Sequence, residues 1–84
     1  MKQCELCGRY ANTERHHVFN SANRKHSEKY GLVANLCPEC HRFGKDAVHV
    51  NAAVSLELKQ RYQRIFEADH SRAEFLKIMG RNYL

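Results

Sequence analysis

Apolar positions follow one clear rhythm in the second half of the chain and only short bursts in the first. Beyond residue 50, Val54, Leu58, Tyr62, Ile65 and Phe66 recur at spacings of three and four, which lines them along one face of a helix. Asn51 fits the N-cap of that helix, and Ser71 with Glu74 forms a capping-box pattern that starts another carrying Phe75, Leu76, Ile78 and Met79. Gly80 suits its C-terminus. Upstream, Val18 and Phe19 predict a short strand, and LVANL at 32–36 is a brief apolar run. Between them SANRKHSEKYG is polar and basic, and reads as an exposed loop with a short helix from about Arg24 to Tyr30, closed by Gly31. The stretch HRFGKDAVH at 41–49 can be helical only in part, because Gly44 weakens a helix interior by about 1 kcal/mol relative to alanine.

No repeat, low-complexity tract or proline-rich linker divides the 84 residues. The expectation is one domain over 1–84, with a core over about 1–50 and a helical tail over about 51–84. A domain of this size buries only about 60% of its unfolded surface, so its apolar core is marginal and an added staple is expected. Cys4 and Cys7 form one CxxC knuckle, and Cys37 and Cys40 form a second thirty residues on. Each knuckle can place two thiolates on adjacent corners of a tetrahedron, so the four cysteines predict a structural Zn2+ site. A redox dithiol is the alternative, but no thioredoxin-like βαβ pattern accompanies it. Four thiolates leave no open coordination position, so the chemistry must lie elsewhere.

Fourteen Lys and Arg against nine acidic residues give a formal charge of +5, which favours an anionic partner, nucleic acid first. No segment approaches a membrane span, and the opening MKQCELCGRY has no apolar stretch of signal-peptide type, so a cytoplasmic protein is expected.

Six histidines are many for this length, and four are placed suggestively: the pair His16–His17, His41 next to Cys40, and His49 eight residues later. Strand neighbours face opposite ways, so one of the pair can bind a metal while the other faces a substrate. The order CxxC, HH with apolar residues after it, LCxxCH and a further His resembles the zinc-knuckle branch of the HNH nucleases, in particular small phage and prophage proteins. The likeness runs through HHVFNSANRKHSEKYGLVANLCPECHRFGKDAVH and the helical tail. It implies an α+β, zinc-stabilised ββα-metal (HNH, His-Me finger) core with C-terminal helices. It also implies a metal-dependent DNA endonuclease or nickase in which His17 is the general base, His16 and His41 bind the catalytic divalent metal, and His49 is a third ligand. That metal would be Zn2+, Ni2+, Mn2+ or Mg2+. The position of the family's middle Asn, five residues before the second knuckle, is Leu32 here, so Asn35, Asn20, Asn23 or a backbone group is expected to orient His17.

Other readings of these histidines stay open. His16 and His17 can be a core-edge residue and an exposed one, His41 can serve the cysteine-bound ion, and His49 can cap or pack at a helix start. His26 and His70, in polar surroundings, are expected at the surface. Arg24, Lys25, Lys29, Arg42 and Lys45 flank the proposed site and can neutralise phosphates, whereas Lys59, Arg61 and Arg64 read as the wet face of the long helix. DNA is the expected partner, with a second copy of the chain or another phage protein as further candidates. A non-catalytic zinc module that binds nucleic acid, or one that binds protein, is the alternative function.

Overall fold

The computed structural model describes residues 1–84 and is an α+β arrangement of two small antiparallel sheets and three helices. Strands β1 (Lys2–Gln3) and β2 (Tyr10–Ala11) pair in the register Lys2↔Ala11 and present the first knuckle at their turn. The turn closes through Gly8 N–H to Cys4 O (2.9 Å) and Cys4 N–H to Arg9 O (2.8 Å), with Gly8 at φ 79°, a left-handed conformation that glycine adopts without strain.

Strands β3 (Glu14–His17) and β4 (Val33–Leu36) form the second sheet, with His16 opposite Ala34 and Glu14 opposite Leu36. Val18 and Phe19 lie just beyond β3, which corrects the expected strand position. Val18 N–H still reaches Leu32 O (3.1 Å), but both backbone groups of Phe19 go to the Ser27 hydroxyl, at 3.1 Å from N–H and 2.5 Å to C=O. Both residues are buried all the same, because the bend turns them into the core. The link also fixes helix α1 (Arg24–Lys29), entered through a 3-10 turn at Ser21–Asn23, against the end of β3.

After β4 the second knuckle runs into a π-type turn, Glu39–Phe43, in place of a regular helix. Gly44 N–H bonds Glu39 O at 2.8 Å, and a Cβ on Gly44 would lie 2.7 Å from that oxygen, so only glycine fits. The chain then doubles back, with Val48 N–H on Cys40 O (2.8 Å) and His49 N–H on His41 O (3.3 Å).

Helix α2 (Ala52–Glu67) is capped by Asn51, whose side chain accepts from Ala53 and Val54 N–H. Helix α3 (Arg72–Met79) starts at the Ser71/Glu74 capping box and closes at Gly80. The core gathers Val18, Phe19, Leu32 and Leu36 with Leu58 and Phe66 of α2 and Phe75 and Met79 of α3. Ile65 departs from expectation and is 52% exposed. The covered stripe of α2 turns toward Gln63 and Phe66, where Phe75 packs at 5.5 Å on Phe66 and Tyr83 N–H reaches Gln63 Oε1 at 2.9 Å, and nothing covers Ile65. Gln63 is fully buried, a polar residue kept in the core by bonds to Glu67, Asn82 and Tyr83. No helix is long and apolar enough to cross a membrane.

Candidate active site

The two knuckles meet between the sheets. The Sγ atoms of Cys4, Cys7, Cys37 and Cys40 lie within 4.8 Å of one another, and those of Cys7 and Cys37 are 3.7 Å apart. Tetrahedral Zn–S bonds of about 2.3 Å place sulfurs about 3.8 Å apart, so this cluster could hold a structural metal ion. The thiols differ in acidity. Burial opposes ionisation of Cys4, but the backbone N–H groups around it, those of Cys7 and Cys37 foremost, win and lower it to about 6. Burial pushes the Cys40 thiol up, and its hydrogen bonds with Cys37, Cys7 and Cys4 add to that. One ready thiolate beside a thiol that resists ionising is the electrostatic crowding that a cation relieves.

A second donor set lies apart from the first. One ring nitrogen from each of His16, His41 and His49 falls within 4.8 Å of the others. His16 comes from the inner face of β3, His41 from the π-type turn, and His49 from the turn after Gly44, which the backbone bonds to residues 40 and 41 hold in place. His16 and His41 are buried and His49 is exposed, so the cluster opens to solvent on one side only. His41 therefore belongs with the other histidines, whereas the sulfur cluster is complete with four cysteines.

Hydrogen bonding sets the donor atoms. Glu14 Oε1 lies 2.6 Å from His41 Nδ1, and a carboxylate only accepts, so in the neutral ring the proton sits on Nδ1 and the lone pair on Nε2. That Nε2 lies 3.0 Å from His49 Nε2, about the separation of two nitrogens bound to one ion at 2.1 Å and a right angle. Carboxylate–histidine pairing of this kind is how metal-binding imidazoles are oriented. Burial, then the charges of His41, His49 and His17, hold His16 down at about 4, and burial with His41 and Arg42 lowers His49. Both rings stay neutral at pH 7, as metal ligation requires.

The cluster forms one wall of a cavity of about 380 Å³ lined by no hydrophobic residue, completed by His17, Arg15, Arg24, Arg42, Asn20 and Ser21. A broader cleft of about 660 Å³ adjoins it, sharing Arg15, His17, Ser21 and Arg24 and adding Lys25 and Glu28. Of the predicted basic residues, Arg24 and Arg42 line the cavity and Lys25 the cleft. Lys29 and Lys45 line neither, and Lys29 Nζ sits 5.4 Å over the Tyr30 ring instead. Comparison of the chain with protein-family models, with curated proteins and with solved structures finds no match, so the site is read from its own geometry.

Three participants escaped the sequence reading. Arg15 borders both cavities, Glu14 holds His41, and Glu28 Oε2 lies 2.6 Å from His17 Nε2. None of the asparagines expected to orient His17 reaches it. Asn23 Nδ2 donates to Met79 O, Asn35 pairs through its backbone with Glu5, and Asn20 only borders the cavity. The signal for Glu14 was its place two residues before His16 on one strand face, which a period-two reading can find. Nothing local points to Glu28, eleven residues from His17. His70 keeps more than a third of its side chain exposed at the surface while its ring stacks on Phe66 at 4.4 Å.

Proposed function

We propose that this chain is a metal-dependent phosphodiester hydrolase of the HNH, ββα-metal type that nicks DNA. The observation that carries the reading is the convergence of His16, His41 and His49 at the wall of an arginine-lined cavity without hydrophobic residues that also holds a fourth histidine, His17. The β3–β4 pair and the π-type turn after it correspond, on this reading, to the strands and the metal-bearing segment of that fold. The four cysteines then hold structural zinc, which links the turn to the N-terminal hairpin.

A divalent ion on the three imidazoles would supply Lewis acidity to the phosphate and to the departing 3′ oxygen. Arg24 and Arg42 hold the phosphate's free oxygens, and Lys25 in the adjoining cleft reaches a neighbouring phosphate. His17 takes the proton from the attacking water, and the cut leaves a 5′-phosphate. These contacts read phosphates and no base, so low sequence specificity follows.

The test is nicking of supercoiled plasmid with Ni2+, Mn2+, Mg2+ and Zn2+ supplied in turn, with metal content measured on the same protein. Two ions per chain and nicking abolished by His17→Ala, with fold and cysteine-bound zinc retained, are expected. Salt-sensitive DNA binding without cleavage under every metal would overturn the enzyme reading in favour of a nucleic-acid-binding zinc module. Absence of DNA affinity would point to a protein-interaction module.

A further inference from the structure

His17 can act as a base only if one ring nitrogen keeps a lone pair directed at water while the other holds the ring still. Its Nε2 is committed, lying 2.6 Å from Glu28 Oε2. The other carboxylate oxygen, Oε1, is held by Arg15 Nη2 at 2.6 Å. The guanidinium, then His17 itself, hold the Glu28 carboxyl below its usual range, so the group is an anion that can only accept. Nε2 must therefore carry the proton it donates, and the lone pair of the neutral ring falls on Nδ1.

The placement of Glu28 is built in. Ser27 is fully buried and exchanges two hydrogen bonds with the backbone of Phe19, while Leu32 N–H caps Ser27 O at 2.8 Å. These bonds clamp α1 to the end of β3, so that the residue after Ser27 meets a residue two before Phe19. Arg15, on the same side of β3 as His17, closes the triangle.

We propose that Glu28 is the positioning residue of the hydrolytic site, fixing His17 in the tautomer whose Nδ1 accepts a proton from water, with Arg15 fixing Glu28 in turn. This rests on the hydrolase reading above and adds to it a group that takes the place of the absent asparagine. In the step, water gives a proton to Nδ1 and its electron pair forms the new bond to phosphorus. The P–O3′ pair leaves with the 3′ oxygen, which is protonated from solvent. The imidazolium then carries protons on both nitrogens, and its Nε2–H still faces the Glu28 anion, which stabilises the new charge.

The decisive variant is Glu28→Gln. Glutamine has one acceptor oxygen, which Arg15 claims, so an N–H2 group would confront His17 and the Nε2–H tautomer would lose its partner. Long-range proton–nitrogen NMR on the zinc-loaded protein is expected to show His17 protonated at Nε2 in the wild type and a mixture of tautomers in the variant. The variant's kcat is expected to fall by about 100-fold or more, with KM and metal content unchanged. Glu28→Asp, which keeps the anion, is expected to recover part of the loss. A wild-type His17 protonated at Nδ1 overturns the proposal, and that measurement needs no variant to fold. Wild-type cleavage abolished by His17→Ala but unchanged in Glu28→Gln overturns it while leaving the hydrolase reading intact. Absence of cleavage by the wild type with every metal overturns the hydrolase reading, and the catalytic role of Glu28 with it.

Discussion

Glu14 shows how much of a histidine's chemistry is decided by the group behind it. The His41 ring offers two nitrogens, and the carboxylate 2.6 Å from Nδ1 selects Nε2 as the one facing His16 and His49. Arg42 Nε lies 3.9 Å from the same carboxylate oxygen, a loose pair across which a partly exposed side chain is steadied. Removing the carboxylate leaves His41 free to change tautomer and turn its protonated nitrogen inward. For Glu14→Ala, affinity at the histidine cluster is expected to fall between about 10-fold and 100-fold, as when other carboxylates behind metal-binding histidines are removed. Titration of the second ion by calorimetry measures this. Metal uptake by the four cysteines should be unaffected, because Glu14 touches none of them.

At the scale of elements, the π-type turn is the piece on which both clusters depend. It carries Cys40 and His41 one after the other, and its closing bond from Gly44 to Glu39 sets the return that brings in His49. The same glycine that made a regular helix improbable from sequence is required here by contact, since its missing side chain is what lets the Glu39 carbonyl approach. Gly44→Ala is expected to destabilise the fold by about 1–3 kcal/mol through overpacking against backbone that cannot give way. Urea unfolding measures it, and a loss of the second bound ion should accompany the loss of stability. The hairpin and α1 work differently. Their mutual position rests on the Ser27 hydroxyl bonded to the Phe19 backbone and on Val18 N–H to Leu32 O, bonds that carry no signature in the chain's apolar pattern.

At the scale of the whole molecule, a buried neutral His16 in a marginal domain makes stability depend on pH. His16 titrates at about 4 when folded against 6.5 ordinarily, so between those values the unfolded chain binds the proton and the native one does not. Stability from this source is present above pH 6.5 and is lost as pH falls toward 4. Thermal unfolding without a second metal added is expected to show a Tm falling across that window, and His16→Gln should flatten the fall. The elements and their caps were legible in advance where signals are local: Asn51, the Ser71/Glu74 box, the helical stripe apart from Ile65, and the two knuckles. A CxxC pair constrains its own geometry within four residues, so the sequence by itself determined the sulfur cluster and which histidines were worth watching. Only the tertiary structure decided which nitrogens converge, that Glu14 and Glu28 orient two of the rings, and that Arg15 belongs to the cavity while Lys29 and Lys45 do not line it. The two carboxylate–histidine pairs join residues eleven and twenty-seven positions apart, and His16 and His49 are thirty-three apart. They depend on how β3, α1 and the π-type turn pack, and side-chain hydrogen bonds across such distances leave no periodicity for a sequence to display.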